Sequence, residues 1–230
     1  MIDPDSLSSA ALAALIDHTD LKAFGDAAAI GRLCEEAAEH RFASVAVNGC
    51  MVARCAAALR GTGVKVTAVA GFPLGQMTTG AKLFEVREAL ENGAGEVDVV
   101  QNVRALQSGD LKFVRDELAQ FARVCRDGGA VSKVILETCF LTDAQKETAC
   151  ALACEAGVDF VKTSTGFGTG GATVADVALL RRCVGPDRGV KASGGIRTLA
   201  AARALLRAGA TCLGTSAGVA LVRELRALGR

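Results

Sequence analysis

The sequence predicts a closed parallel (β/α)8 barrel of the TIM type, formed as a single domain over residues 1–230. Eight short apolar runs, typical of buried strands, alternate with helical segments rich in Ala, Leu, Arg and Glu. Eight such repeats in 230 residues match the size of this barrel. Polar residues cluster at the ends of the runs, where such barrels place their chemistry. A doubly wound open sheet is the alternative, but no G-x-G-x-x-G motif follows the first predicted strand.

Each strand is predicted from a run of β-branched and small apolar residues bounded by turn residues. In chain order the predicted strands are Leu12–His18, Ala43–Asn48, Val64–Gly71, Glu96–Asn102, Val131–Thr138, Val158–Thr163, Gly189–Ser193 and Cys212–Ser216. Helical patterns lie between them at Ala27–His40, Thr78–Asn92, Leu111–Asp127, Asp143–Ala156, Thr173–Val184 and Leu199–Ala208. Glycine after Asn92, Asp127, Ala156 and Ala208 gives four helix stop signals. Asp143 and Thr198 are predicted N-caps.

Composition excludes several classes of function. The net charge is +1 without a basic block, so we expect no nucleic-acid partner. No apolar run approaches the roughly 18 residues of a membrane span, so we expect no membrane partner. The acidic start of the chain lacks the features of a secretion signal. Nine cysteines without a C-x-x-C pair fit a reducing cytoplasm and predict neither disulfides nor a metal site.

Two lysines in predicted buried strands carry the strongest chemical signal. Lys162 follows Asp159-Phe160-Val161, and Lys191 follows Val190 in the next strand. Burying an ammonium costs several kcal/mol unless it is paired. Burial and mutual repulsion both lower a lysine pKa, which would leave a neutral nucleophilic amine at pH 7. The pair therefore indicates imine (Schiff-base) chemistry on a carbonyl substrate.

Other charged residues fall on the predicted inner faces of strands. Asp98 lies between valines and needs a cationic or hydrogen-bonding partner. It could be a proton shuttle beside the lysines or part of a structural ion pair. Lys133 shares a strand face with Glu137 and is most simply a counter-ion for Asp98, Asp17 or Glu137. Asp17 could hold a lysine or bind substrate hydroxyls.

Two further residues lie at the end of predicted strands. His18 ends the first predicted strand, and a structural role is a simpler interpretation of it than a role as an acid or base. Asn48, at the end of the second predicted strand, could bond a substrate oxygen.

Glycine-rich loops follow the sixth, seventh and eighth predicted strands. They contain Gly166, then Gly194 and Gly195 before Arg197, then Gly214 before Ser216. Glycine lets backbone N–H groups approach an anion, and barrels of this type often bind phosphate after strands seven and eight. These loops predict a phosphate site, in which Arg197 either binds the anion or pairs at the helix start. The Gly71-Phe72-Pro73-Leu74-Gly75 loop is expected to be a rigid wall.

Several segments together resemble the deoxyribose-phosphate aldolases, a family of class I aldolases. The segments that carry the resemblance are Leu15–Thr19, Ala43–Asn48, Gly71–Gly75, Glu96–Val100, Lys133–Thr138, Asp159–Phe167 and Val190–Thr198. The resemblance implies a TIM barrel that reversibly cleaves 2-deoxy-D-ribose 5-phosphate into D-glyceraldehyde 3-phosphate and acetaldehyde. It implies no cofactor and no metal, because the protonated imine is itself the electron sink.

The resemblance also implies a role for each matched residue. Lys162 would form the imine, Lys191 would lower its pKa and relay protons, and Asp98 would exchange protons, through a water molecule. The predicted substrate-binding residues are Asp17, Thr19, Asn48, Lys133 and Thr165. The predicted phosphate-binding residues are Gly166, Gly194, Gly195, Arg197, Gly214 and Ser216.

The chain departs from the family pattern at a few positions near these motifs, which bear on substrate preference and loop rigidity. The departures are Asp20, Ala23, Ala46, Gly49, Gln101 and Arg104. We expect a phosphorylated sugar as substrate and a homo-oligomer as the assembly. Two other functions fit the same pattern: a phosphate-binding isomerase or lyase that forms no imine, and a non-catalytic sugar-phosphate sensor. Imine trapping separates the first, and turnover separates the second.

Overall fold

The computed structural model describes residues 4–229, so residues 1–3 of the N-terminal segment considered above, and residue 230, lie outside it. Eight parallel strands close into one barrel in sequential order, with the first strand paired to the last. The strands are β1 Ile16–Asp20, β2 Ser44–Val47, β3 Lys65–Ala70, β4 Glu96–Val100, β5 Val131–Ile135, β6 Phe160–Lys162, β7 Gly189–Ser193 and β8 Cys212–Thr215. The predicted fold class is confirmed.

Helices surround the barrel and bury apolar faces against its outer wall. They are α1 Ser9–Ala13, α2 Ala29–His40, α3 Val52–Ala58, α4 Thr79–Glu91, α5 Val103–Gln107, α6 Leu111–Asp127, α7 Asp143–Ala156, α8 Val174–Val184, α9 Leu199–Arg207 and α10 Gly218–Ala227. Short 3-10 helices lie at Gly49–Met51 and Thr138–Phe140. Side chains such as Val86, Leu118, Leu180 and Leu221 are fully buried between the helices and the strands.

Local capping explains where several helices begin and end. Thr198 caps α9, as predicted, by accepting the Ala201 N–H. The prediction for Asp143 was wrong, because the cap of α7 is the preceding residue. Thr142 accepts the N–H of Gln145, whose side chain accepts the Thr142 N–H in return. This reciprocal pair satisfies two N–H groups that the helix itself cannot bond.

The first predicted strand was wrong at its start. Leu12 and Ala13 belong to α1, which begins where the Ser8 side chain accepts the Ala11 N–H. Both residues are buried, and a short apolar run does not distinguish a buried helix from a strand by periodicity. The strand β1 starts only at Ile16.

Two other predicted strands extend too far. The ladder of β4 ends at Val100, and that of β5 ends at Ile135. After β5 the backbone turns at Glu137, which adopts a left-handed conformation with φ 55°. Non-glycine residues rarely adopt this conformation, so the strand pattern cannot continue through it.

Three further facts describe the part of the chain that the structure covers. Within residues 4–229 no helix is both long and apolar enough to cross a membrane. No group of three or more His, Cys, Asp or Glu side chains in the same residues is arranged to hold a metal ion. All nine cysteines are free.

Candidate active site

Strand register brings the two unusual lysines together. Lys162 of β6 is the register partner of Lys191 of β7, so both side chains enter the barrel at the same level. On the neighbouring strands β4 and β5, Asp98 is the register partner of Lys133. Lys162 and Lys191 both bond the same carboxylate oxygen, Asp98 Oδ2, at 2.8 and 2.7 Å.

These three groups are almost completely removed from solvent. Lys162 is 3% exposed, and Asp98 and Lys191 are each 0% exposed. Removing charges from water is costly, and here each cation finds a carboxylate to offset that cost. The arrangement therefore holds two amines and one carboxylate in a nearly dry space.

The surroundings of Lys162 favour its neutral form. Burial lowers the pKa of Lys162, and the Lys191 and Lys133 ammonium groups lower it further. The Asp98 carboxylate opposes these effects without reversing them, so the pKa of Lys162 lies below its ordinary value. A neutral lysine at physiological pH has the lone pair that attack on an aldehyde requires.

The neighbours of Lys162 remain charged. Burial alone would lower the pKa of Lys191, but the carboxylates of Asp17 and Asp98 raise it well above its usual value. Burial likewise opposes the charge on Asp98, yet Lys133, Lys162 and Lys191 hold the pKa of Asp98 well below its usual value. The surroundings thus shift the two lysines in opposite directions, lowering the pKa of Lys162 and raising that of Lys191.

Lys133 lies one level deeper in the barrel. Its Nζ ion-pairs closely with Glu96, lies 3.2 Å from Asp98 Oδ1, and lies 3.8 Å from Asp17 Oδ2. These are the contacts of a counter-ion for Asp98 and Asp17. Glu137 is not among its partners, because that carboxylate accepts the Thr165 N–H at 3.1 Å and the Thr165 hydroxyl.

A cleft of about 330 Å³ opens above Lys162 at the C-terminal end of the barrel. It is lined by three loops that follow β6, β7 and β8, and by the end of β1. Predicted site residues that line it are Thr19, Lys162, Thr165, Gly166, Gly194, Gly195, Arg197, Gly214 and Ser216. The structure thus brings most of the predicted binding residues to the reactive lysine.

Backbone conformation in these loops requires glycine. Gly194 and Gly195 have φ values of 88° and 79°, and a side chain on Gly194 would meet Gly171 Cα at 3.0 Å. Glycines with positive φ let the backbone approach a bound anion closely, which suits the cleft they line. Arg197 is exposed at the same edge and adds positive charge.

Six of the residues considered in the sequence do not line the cleft, among them the buried Asp98 and Lys191 described above. Asn48 lines a separate cavity with Phe72 and Glu85, and so is not brought to Lys162. Lys133 and Asp17 lie beneath the cleft, where Asp17 ion-pairs closely with Lys191. His18 points to the outer wall, where Nε2 lies 2.7 Å from Glu36, so its environment is structural.

Sequence reasoning missed residues that complete the site. Glu96 ion-pairs with Lys133. The feature of the sequence that could have revealed this role is that Glu96 lies on the same strand face as Asp98. Asp20, a departure from the family pattern, lines the cleft beside Lys22. The Phe72 and Phe167 rings meet edge to face with centroids 5.3 Å apart beside the cleft. Only the folded loops bring those rings together.

Comparisons with known proteins agree with this geometry. The model of the DeoC/LacD family of aldolases matches residues 11–225. A deoxyribose-phosphate aldolase of Bacteroides thetaiotaomicron is 55% identical, with 97% of this chain and 94% of the relative covered. One of Thermococcus gammatolerans is 50% identical, covering 94% of this chain and 96% of the relative.

Comparison with a solved structure shows that the similarity extends to the fold. The tetrameric deoxyribose phosphate aldolase of Aeropyrum pernix superimposes with a TM-score of 0.91 at 34% identity, covering 97% of this chain and 95% of that one. The family match over residues 11–225 includes all eight strands, with those that carry the lysines, and the glycine loops. The chain belongs to the DeoC/LacD family of aldolases.

Proposed function

We propose that this enzyme is a class I aldolase that reversibly cleaves 2-deoxy-D-ribose 5-phosphate into D-glyceraldehyde 3-phosphate and acetaldehyde. The observation that carries the proposal is the buried Lys162 amine, with its lowered pKa, beside the charged Lys191 and beneath a glycine-lined cleft. The names of the relatives support this substrate.

The reaction begins at the amine. Neutral Lys162 Nζ attacks the aldehyde carbon C1 of the open-chain sugar, and loss of water gives a protonated imine. The attack needs the amine without its proton, so destabilisation of the ammonium form favours the reaction. Burial and the nearby cations act in that direction.

Carbon–carbon cleavage follows from the electron demand of the imine. Asp98, acting through a water molecule, accepts the proton of the C3 hydroxyl while the C2–C3 bond breaks. The bonding electrons move to the imine nitrogen and form an enamine, and glyceraldehyde 3-phosphate leaves. Protonation of C2, with Lys191 and Asp98 relaying the proton, regenerates the imine. Hydrolysis then releases acetaldehyde and the free amine.

The phosphate of the substrate is assigned to the glycine loops. Gly166, Gly194, Gly195, Gly214 and Ser216 offer backbone N–H groups, and Arg197 offers a cation. Thr19 and Thr165 line the space between those loops and Lys162 and are the proposed contacts for the sugar hydroxyls. Asp17 and Lys133 support the site from below.

Imine trapping tests the proposal. The protein is incubated with acetaldehyde and reduced with borohydride, and the adduct is located by intact-mass analysis and peptide mapping. We expect one added ethyl group on Lys162, and none in Lys162→Leu. Lys112→Leu, at an exposed lysine, should trap normally. Undiminished trapping in the folded Lys162→Leu variant, or no turnover of 2-deoxyribose 5-phosphate by the parent protein, would reject the proposal.

The cellular setting is proposed on separate grounds. We place the enzyme in the cytoplasm, because all nine cysteines are free and an oxidising compartment favours disulfides. We also propose a homo-oligomer, which the tetramer formed by the Aeropyrum relative supports. Light scattering coupled to size-exclusion chromatography measures the assembly directly, and a monomer would contradict it.

A further inference from the structure

A line of ion pairs descends inside the barrel from the reactive lysine to its N-terminal face. Lys162 donates to Asp98 Oδ2 at 2.8 Å, and Asp98 Oδ1 lies 3.2 Å from Lys133 Nζ. Lys133 is also closely paired with Glu96 Oε2. At the lower end, Glu96 Oε1 accepts a bond from Lys65 Nζ at 3.1 Å. The Lys65 side chain is 53% exposed, so the line reaches solvent.

Each carboxylate in this line uses its two oxygens for different partners. Asp98 presents Oδ1 downward to Lys133 and Oδ2 upward to Lys162 and Lys191. Glu96 presents Oε2 to Lys133 and Oε1 to Lys65, and the Thr67 hydroxyl donates to Glu96 Oε2 at 3.2 Å. Lys133 is therefore held between two carboxylates, and the orientation of Asp98 depends on where that ammonium lies.

We propose that Glu96 is a positioning residue for the imine reaction, acting through Lys133. By holding Lys133 low in the barrel, Glu96 keeps Asp98 Oδ2 available to the reactive amine and balances the positive charge beneath it. The inference rests on the proposed function, because it assigns a role in the reaction of Lys162. It concerns a residue that does not itself touch the substrate.

Charged side chains from six of the eight strands face this line. Those present are Asp17 on β1, Lys65 on β3, Glu96 and Asp98 on β4, Lys133 on β5, Lys162 on β6 and Lys191 on β7. β2 contributes the neutral Ser44, which bonds Thr67. β8 contributes Cys212, whose thiol stays neutral because burial raises its pKa well above the usual value.

The sign of the effect follows from this set of charges. Removing the Glu96 carboxylate makes the barrel interior more positive, which disfavours the ammonium form of Lys162. The Lys133 ammonium then has fewer carboxylates and moves toward Asp98, which weakens Asp98 as a proton acceptor. Removing Lys133 has the opposite electrostatic effect, because that ammonium lowers the pKa of Lys162.

The experiment makes two kinds of measurement on each variant. One is the pH midpoint of acetaldehyde trapping by borohydride, and the other is kcat and KM for 2-deoxyribose 5-phosphate. For Glu96→Gln we expect the midpoint to fall by about one unit. We expect kcat to fall at least about tenfold with little change in KM. Lys65→Met removes only the exposed partner and should match the parent protein.

Two more variants separate positioning from folding. Lys133→Met should move the midpoint upward. The double variant Glu96→Gln with Lys133→Met removes one charge of each sign, so its midpoint should match the parent. Its kcat should equal that of Lys133→Met, because Glu96 acts through Lys133. If Glu96→Gln does not fold, the comparison of this double variant with Lys133→Met decides, and a kcat well below that of Lys133→Met overturns the proposal. In folded Glu96→Gln an unchanged midpoint overturns it as well. Absence of trapping in the parent protein would instead reject the aldolase function.

Discussion

At the residue scale, the reactivity of Lys162 depends on which of its neighbours carries a charge. Among residues 4–229, Lys191 has two carboxylate partners, Asp17 and Asp98, whereas Lys162 has one, Asp98. Two cations that share one carboxylate oxygen cannot both be fully compensated. The lysine with fewer carboxylates is the one that loses its proton more readily, which supports Lys162 as the proposed nucleophile.

Replacing Lys191 with leucine tests this division of roles. Without the Lys191 ammonium, the pKa of Lys162 should rise, because one of the effects that lowers it is gone. The trapping midpoint should therefore move to higher pH by about one to two units. The rate near pH 7 should fall, with partial recovery at alkaline pH.

Stability provides the control for that experiment. Lys191→Leu leaves Asp17 buried without its main partner, which costs about 3 kcal/mol. If that variant unfolds, Lys191→Leu combined with Asp17→Asn removes the orphaned charge and carries the measurement. Lys112→Leu should keep the parental profile. A parental pH profile in a folded Lys191 variant contradicts the electrostatic role.

At the scale of single elements, the loops after the strands combine glycines of positive φ with the proposed phosphate site. Gly195 has φ 79° and open space where a side chain would lie. Gly63, in the loop before β3, has φ 81° and equally open space. The two positions impose the same backbone demand, but only Gly195 lines the cleft. They form a matched pair in which strain is equal and only the site differs.

Alanine at each glycine separates binding from strain. Both Gly195→Ala and Gly63→Ala should lose about 1 kcal/mol of stability, because alanine tolerates positive φ poorly. Only Gly195→Ala should raise the KM for 2-deoxyribose 5-phosphate. The expected rise is about tenfold, which corresponds to the loss of one hydrogen bond to the phosphate. Its effect on unphosphorylated 2-deoxyribose should be small. Equal KM changes in the two variants would contradict the phosphate assignment.

The start of α7 offers a second test at this scale. Thr142→Ala removes the reciprocal cap and should lower the free energy of unfolding by about 1 kcal/mol in urea titrations. Thr148 lies inside the same helix, and its hydroxyl donates to the Ala144 carbonyl at 2.9 Å. Thr148→Ala should be neutral or stabilising, because alanine is the better helix former. A loss equal to that of Thr142→Ala would contradict the capping argument.

At the scale of the whole molecule, the barrel interior is an ionic layer enclosed by an apolar wall. The pKa of Asp17 is about 2 because Lys191 and Lys133 outweigh the effect of burial. A carboxylate with a lowered pKa stabilises the fold above its unfolded-state pKa. That contribution is lost as pH falls through the folded-state value.

Acid unfolding should therefore report on this layer. We expect the free energy of unfolding to fall between about pH 5 and pH 2, with about 2 kcal/mol from Asp17. Asp17→Asn should be less stable at pH 7 and lose less on acidification. Asp187→Asn, at an exposed carboxylate outside the barrel interior, should follow the parental curve. Urea unfolding at several pH values measures this, and parallel curves for Asp17→Asn and the parent protein would contradict it.

The sequence by itself determined the barrel class, the two buried lysines and the glycine loops, because strand periodicity, residue type and turn chemistry are local properties. Only the tertiary structure decided that Leu12 belongs to a helix, that Glu96 holds Lys133, and that Asn48 faces another cavity. Closure of the barrel fixes the register between strands distant in sequence. That register decides which charges meet, and no local pattern contains it.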